Sequence, residues 1–350
     1  MGNQKVIHLI QSTSGGGAEN AARLIARHQS SHYQVEIVTW NPEKNPHYVE
    51  EVHYVLITKR QSGFIGLLKV CSKLRKHLSK SKPKAIICHM TYSLVLGRLA
   101  LLFVYPKPKI IYVHHSSFTP KLGNLPKLLL KVAFRKVQVV AVSESSRKSL
   151  LKFKEGLGTT VFPNPVELPP SRSPLEIRKS DNRVTLIAVG RIAPVKNYQF
   201  LLEALSFLDD RFVLEIVGDG DSASLKTSVE KMGLLGRVKF LGWLPSNEVL
   251  ARLRNCDVFV MTSDLEGEPT ALLEAAAVGL QIVGRNTPGL GDAVRKVDGY
   301  LPKEDTPAEL SKTIEFVSQL DLSGTSPKDW RKHHDIETSS HKYCELIERI

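Results

Sequence analysis

Two carboxylates separated by seven residues, Glu266 and Glu274, stand in the segment Ser263-Asp-Leu-Glu-Gly-Glu-Pro-Thr-Ala-Leu-Leu-Glu274. The apolar run Val258–Met261 before them reads as a strand that enters a short loop. Pro269 stands where a helix, Pro269–Val278, should begin, and Gly279 is its natural stop. The first N–H groups of such a helix are unpaired and aim past the carboxyl edge of the sheet, which suits an anion such as a diphosphate. Glu274 falls about one and a half turns into the helix, where a carboxylate can accept two hydrogen bonds, as from a ribose diol. In isolation, a solvated acidic loop and a surface glutamate give the same pattern. A second candidate is Val189-Gly190-Arg191-Ile-Ala-Pro194-Val-Lys196-Asn197. Arg191 can fork onto phosphate oxygens and Lys196 supplies a compact charge; alone, the two also read as solvated loop residues.

Ser14-Gly15-Gly16-Gly17-Ala-Glu19 follows the first apolar run. Three glycines let backbone N–H groups approach a ligand at a helix N-terminus, and a ligand-free tight turn needs them equally. The motif is not GxGxxG, and Asn41 stands where a dinucleotide site would place an acid, which disfavours a nicotinamide enzyme. His114-His115 ends the run Lys109–Val113. Neighbouring side chains on a strand point oppositely, so at most one of the two lines a ligand cleft. Asp219-Gly-Asp221 reads as a strand-terminating turn rather than a metal pair. The P-loop, GxSxG and HExxH signatures are absent.

The elements that must position these groups alternate between short apolar runs and helical patterns. Strands are predicted at Lys5–Ile10, Val35–Thr39, His53–Ile57, Ala85–His89, Lys109–Val113 and Gln138–Val142, with helices at Ala18–His28 and from Gly66 to about Lys80. Five prolines within 162–174 mark a hinge, after which the alternation restarts at Val184–Val189. Two α/β domains with mostly parallel sheets follow: 1–165, a linker 166–183, 184–326, and a helical tail 327–350. A chain of 350 residues exceeds one ordinary core. The four cysteines lie far apart, which indicates neither a zinc site nor a disulfide framework. Charge is uneven. Residues 1–165 carry 25 basic against 7 acidic residues, a formal +18, whereas 166–350 carry 23 against 28, a formal −5. A polyanionic partner for the first half is expected, although a basic surface that only keeps the protein soluble has the same composition.

In this order, the residues resemble the family-4 retaining glycosyltransferases of GT-B fold. The resemblance rests on VGRIAPVKNYQFLLEAL, LEIVGDGD, VKFLGWLPSNEV and CDVFVMTSDLEGEPTALLEAAAVGL, and extends to the first half through GGGAEN and His114. It implies two Rossmann-like domains facing across a cleft, with the C-terminal helix returning to the first domain. It implies a metal-independent hexosyltransferase that moves a sugar from a UDP- or GDP-sugar to an acceptor hydroxyl with retained configuration. Arg191 and Lys196 would neutralise the leaving diphosphate, Glu274 would hold the ribose, and Glu266 would contact the donor sugar. Gly190 and the stretch Gly267, Glu268, Pro269 and Thr270 would complete the donor site. Gly15, Gly16, Gly17 and Glu19 would face the acceptor, and His114, or His115 if the register slips by one, would stand at the edge of the sugar pocket. Three positions depart from the family pattern: Glu268 replaces an apolar or aromatic residue, Asn197 a frequent glycine, and Pro288-Gly-Leu-Gly-Asp292 only loosely resembles a glycine-glycine loop.

The acceptor class implied is a glycan or a lipid-linked saccharide of lipopolysaccharide, O-antigen or capsule assembly. A nucleotide-sugar epimerase or a phosphorylase on the same fold is the second reading. A basic nucleic-acid-binding protein is the third, disfavoured because no helix-turn-helix, RRM or zinc signature accompanies the charge. No bilayer-spanning run of about 18–20 residues occurs, so a cytoplasmic protein on the inner face of the plasma membrane is expected. Membrane contact is assigned to the apolar stripe Phe64, Leu67, Leu68, Cys71 and Leu74, with Lys69, Lys73, Lys76 and Lys80 on the other side. Pro126–Lys136 repeats the theme.

Overall fold

The computed structural model describes residues 4–13, 16–41, 51–57, 63–116, 130, 132–167, 182–320 and 330–349. The chain divides into two compact units, Met1–Pro165 with His334–Ile350, and Val166–His333. Each unit is a parallel sheet covered on both faces by helices, so the two-domain α/β class holds.

The strands of the first unit are β1 (Lys5–Leu9), β2 (Gln34–Thr39), β3 (His53–Leu56), β4 (Ala85–His89), β5 (Lys109–His114), β6 (Gln138–Ala141) and β7 (Thr159–Val161), in the order β3-β2-β1-β4-β5-β6-β7. Its helices are α1 (Gly17–Gln29), α2 (Gly63–Ser81), α3 (Met90–Ala100) and α4 (Glu144–Phe153), with a 3₁₀ turn at Leu101–Phe103. Strand parity divides the core. Ile7, Leu9, Ile86, Cys88, Ile110 and Tyr112 face α2, α3 and the stretch around Phe134. Val6, Ala85, Ile87, Ile111 and Val113 face the opposite layer, where Ile25 of α1 and Tyr343, Leu346 and Ile347 of the C-terminal helix bury them.

Helix α2 does not present the expected stripe to the outside. Leu67, Cys71 and Leu74 pack with Val70 and Leu78 against the sheet, while Leu68 is exposed. The sheet offers a larger dry surface than any interface, so the apolar face turns inward and leaves Lys69, Lys73, Lys76 and Lys80 outside. The side chain of Phe64 lies outside the described residues, as do 126–129 and 131 of the second stretch; Leu130, Ala133 and Phe134 there are buried.

The second unit holds β8 (Val184–Val189), β9 (Phe212–Val217), β10 (Val238–Gly242), β11 (Val258–Met261) and β12 (Gln281–Gly284), ordered β10-β9-β8-β11-β12. Helices α5 (Tyr198–Ser206), α6 (Ala223–Lys231) and α10 (Pro307–Ser318) cover one face. Helices α7 (Ser246–Arg254), α8 (Thr270–Ala277) and α9 (Leu290–Lys296) cover the other, with Trp330 of α11 (Trp330–His334). Helix α12 (Ile336–Glu348) belongs to the first unit. There Ser339 donates to the Pro163 carbonyl at 2.5 Å, and the His334 ring to that of Asn164 at 2.9 Å. The proline-rich residues 168–181 lie outside the described residues.

Candidate active site

The order of the second sheet reverses between β8 and β11. At such a switch point the loops leaving the two strands diverge and open a crevice at the carboxyl edge. The loop after β8 carries Gly190, Arg191 and Lys196, and the loop after β11 carries Glu266, so topology brings together residues about seventy positions apart in the sequence. Lys196 Nζ donates to Glu266 Oε1 at 2.6 Å, with both side chains largely shielded. Arg191 is exposed at the same loop.

The loop after β8 is held along its length. Gly190 N donates to the Val217 carbonyl at 2.8 Å, Ile192 N to that of Asp219 at 2.7 Å, and Tyr198 Oη to that of Gly190 at 2.7 Å. Burial, and then the charge of Glu266, raise the Tyr198 phenol above its ordinary range. Gly218 (φ +151°) packs so closely that a Cβ there would overlap the Gly190 carbonyl. Pro194–Lys196 forms a 3₁₀ turn, and Asn197 sits left-handed at φ 46°, ψ 49° as the N-cap of α5, accepting from Phe200 N. Asparagine tolerates that conformation, which accounts for its presence in place of glycine.

The two loops are also bonded to each other. Thr262 Oγ1 donates to the carbonyls of Lys196 and Asn197 at 3.2 and 3.0 Å, Asn197 Nδ2 donates to Asp264 at 2.9 Å, and Asp264 N to the Val195 carbonyl at 2.9 Å. Arg285, directly after β12, is the buried strut behind them. It forks onto Asp305 with two bonds of 2.7 Å, reaches Asp264 at 2.6 Å and the Thr262 carbonyl at 3.1 Å, and stacks 4.2 Å over Phe200. Its hydrogen bonds hold the Asp305 carboxyl below the usual range. Thr287 donates to the Ser263 carbonyl at 2.6 Å, and Glu266 N to that of Pro288 at 3.1 Å, so the 288–292 loop touches the site.

Gly267, Glu268, Pro269 and Thr270 are buried and lead into α8. Pro269 is the N-cap rather than the first helical residue, with ψ 98°, and the helix starts at Thr270. Glu274 lies half-buried on that helix. Glu268 does not stand as an unbalanced charge, because Lys296 of α9 pairs with it at 3.2 Å. Asp219 and Asp221 accept from the backbone N–H of Gly220 and Ala223, each at 2.9 Å, as a turn would have them.

In the first unit, Gly16 is the N-cap of α1, Gly17 its first residue, and Glu19 folds back against Gly16. Gly15 lies outside the described residues. The two histidines after β5 diverge as parity requires. His114 is buried, with Nδ1 2.8 Å from the Tyr112 hydroxyl and Nε2 3.2 Å from Ser149, and burial lowers it to about 4. His115 turns the other way and ends a chain: Gln29 Oε1 to His8 Nε2 at 2.7 Å, His8 Nδ1 to His89 Nε2 at 3.0 Å, and His89 Nδ1 to His115 Nε2 at 3.0 Å. Burial pushes His8 down to about 4, His115 to about 3, and His89 well below its ordinary value.

Arg285, Tyr198, Thr262, Lys296 and the His8–His89 pair were not foreseen. The position of Arg285, two residues past the short run Gln281-Ile-Val283 and so at a carboxyl edge, was the available signal.

Two family models match the chain: Glycosyltransferase Family 4 over residues 15–168 and Glycosyl transferases group 1 over residues 173–334. The chain belongs to the family-4 glycosyltransferases of GT-B fold. It is 32% identical over 203 residues to the putative colanic acid biosynthesis glycosyltransferase WcaL of Escherichia coli K12, a match covering 55% of this chain and 47% of that protein. It is 28% identical to an Escherichia coli UDP-Gal:alpha-D-GlcNAc-diphosphoundecaprenol alpha-1,3-galactosyltransferase, over 75% of this chain and 71% of that one. Among solved structures, Anabaena HepE in complex with UDP and glucose superposes with TM-score 0.81 at 20% identity, covering 99% of this chain and 100% of HepE. The glycosyltransferase WaaG superposes at 0.71 with 14% identity, over 99% and 100%. These two likenesses establish the fold.

Proposed function

We propose that this protein transfers a hexose from a nucleotide-sugar, with retention of configuration and without a divalent ion, to a lipid-linked saccharide at the inner face of the plasma membrane. The observation that carries the reading is the Lys196–Glu266 pair at the β8/β11 switch point, with Arg191 exposed on the same loop as Lys196 and the N-terminus of α8 following Glu266. Arg191, Lys196 and the first N–H groups of α8 supply positive potential where a diphosphate leaves, which is the main demand of glycosyl transfer. Glu266 positions Lys196 and, when the ammonium is drawn to phosphate, is released to hold donor-sugar hydroxyls. Glu274 takes the ribose. The leaving phosphate accepts the acceptor's proton, so no protein base is needed; His114, held neutral by burial and bonded through both ring nitrogens to Tyr112 and Ser149, would act by shaping the carboxyl edge of the first unit's own sheet. Gly16, Gly17 and Glu19 line the acceptor side.

A lipid-linked acceptor is favoured by the relatives whose names specify diphosphoundecaprenol substrates, and a uridine donor by HepE's complexes with UDP and UDP-glucose. No described helix is long and apolar enough to cross a membrane, so association with the lipid carrier would be peripheral. Thermal shift across UDP- and GDP-sugars, followed by transfer to a polyprenyl-diphosphate-linked sugar and NMR of the product anomer, tests the reading. A UDP-sugar should stabilise the protein and the product should be the α-anomer from an α-donor. Nucleotide release that proceeds equally without acceptor, with an isomerised sugar as product, would make the protein an epimerase instead.

A further inference from the structure

Between Glu51 and Glu144 lie ninety-two residues with seventeen lysines and arginines and no acidic residue. The structure gathers much of this stretch into one layer, α2, α3, the 3₁₀ turn and the residues around Phe134, which buries its inner side against the sheet. Its outer side is unusual in two respects. Along α2 the exposed residues are Ile65, Leu68, Lys69, Ser72, Lys73, Lys76, Ser79 and Lys80: two apolar side chains, then four lysines on one face with two small serines among them. Lysines at such spacing repel each other unless an anion lies between them, and this stretch contains no carboxylate to serve. Beside them the 3₁₀ turn exposes Leu102 and Phe103, and the residues after it expose Tyr105, the two rings at 72%. The elements are locked together: the Arg75 guanidinium lies 5.1 Å over the Phe103 ring, and Arg98 donates to the Ala133 carbonyl at 2.9 Å and to that of Arg135. Lys107 lies 5.4 Å over the Tyr105 ring.

The layer ends at a concavity on the amino edge of the sheet, lined by Lys5, Lys80, Lys82, Lys84, Lys107 and His77. The carboxylate in its lining, Glu36, is buried and already paired with Lys5 at 2.6 Å and His77 at 2.8 Å. Lys84 is paired with Glu348 at 2.6 Å, so Lys80, Lys82 and Lys107 carry the residual positive charge, which suits a phosphate headgroup. The concavity lies at the opposite edge from Gly16 and His114, so occupying it leaves the candidate acceptor site open.

We propose that the outer face of the α2–α3 layer docks on an anionic lipid bilayer. Ile65, Leu68, Leu102, Phe103 and Tyr105 enter the headgroup boundary, and Lys69, Lys73, Lys76, Lys80 and Lys107 meet lipid phosphates. This inference rests on the membrane-borne acceptor proposed above and names the surface that would reach it. Rigid exposed aliphatic side chains beside lysines fit a bilayer rather than a duplex, whose backbone offers nothing apolar to cover. Each lysine near an anionic surface contributes about fivefold in partitioning, and the attraction decays over about 8 Å at physiological ionic strength.

Co-sedimentation with phosphatidylcholine vesicles, with and without phosphatidylglycerol, tests the proposal. The protein should bind only the vesicles with phosphatidylglycerol, and salt should weaken the binding. The variant K69Q/K73Q/K76Q should bind roughly a hundredfold less. L68S/F103S should lose what binding survives in high salt, and the control K231Q/K239Q/K303Q should bind as wild type. All substituted side chains except that of Phe103 are free of packing roles, and circular dichroism checks that L68S/F103S is folded. Equal sedimentation of wild type and the triple variant, equal binding to neutral vesicles, no vesicle binding, or full displacement by duplex DNA at equal phosphate concentration would each overturn it. Thermal stabilisation of the protein by the UDP-sugar is read alongside. The triple variant should retain it, and its absence in wild type would count against the transferase reading without touching the vesicle result.

Discussion

Lowering the pH from 7 to 5 should destabilise the unit Met1–Pro165/His334–Ile350 far more than the unit Val166–His333. His8 and His114 are buried and lie near 4 in the folded protein against an ordinary 6.5. A histidine lowered in this way adds stability that is fully present above 6.5 and is lost as the pH falls toward 4, because the unfolded chain takes up the proton first. At pH 5 each costs about 2 kcal/mol relative to neutral pH, so these two alone remove about 4 kcal/mol. That is a large share of the 5–15 kcal/mol typical of a domain, even before His89 and His115 are counted. Carboxylates do not confuse the window. Glu36 is lowered to about 2 by His77 and Lys5 against its burial, so it stays ionised in both states down to about 4.5. The second unit is a built-in control, since no histidine occurs between Val166 and Lys332. Trp40, 5% exposed, reports the first unit, and Trp243 and Trp330 report the second. Urea unfolding of the W243F/W330F variant and of W40F, each followed by fluorescence at both pH values, reads the units separately. A Trp40 transition whose free energy falls by less than about 1 kcal/mol between pH 7 and 5 would refute the argument from buried neutral histidines.

Replacing Lys196 or Arg191 by alanine should lower turnover by about 10²–10³ each with unfolding midpoints near wild type; wild-type turnover by the double variant would remove both from the site. Glu274→Ala should instead raise the donor KM more than it lowers kcat, read by steady-state kinetics. Arg285→Met leaves Asp305 and the Thr262 carbonyl without this donor and Asp264 with only the Asn197 bond, and should cost about 3 kcal/mol in urea unfolding read at Trp330, with Arg285→Lys recovering only part because it cannot fork. Activity should persist in EDTA; its loss there, with recovery on Mg²⁺ or Mn²⁺, would overturn the metal-free mechanism.

The local signals that were legible in the sequence are those written into neighbouring residues. Alternating apolar runs gave the strands, the proline and glycine around 269–279 bounded α8 to within a residue or two, and the loop after β8 and the Glu266–Glu274 spacing stood out because each is contiguous. Helices α3, α4, α7, α9 and α10 and strand β7 were not anticipated, since short or evenly apolar segments carry no clear period.

The sequence by itself determined the class of fold, the family and the residue types at the loops after β8 and β11, because these depend on short-range pattern. Tertiary structure alone decided which groups meet. The order β8-β11 set Lys196 against Glu266 across seventy residues, and β12 at the edge brought Arg285 behind both. Strand parity and the order β1-β4-β5 aligned His8, His89 and His115 into one hydrogen-bonded row while turning His114 to the other face. The same sheet drew Leu67, Cys71 and Leu74 inward and left the lysines of α2 outside. A helical stripe specifies that one face is apolar, but what that face covers depends on the largest dry surface within reach, and here the parallel sheet provided it.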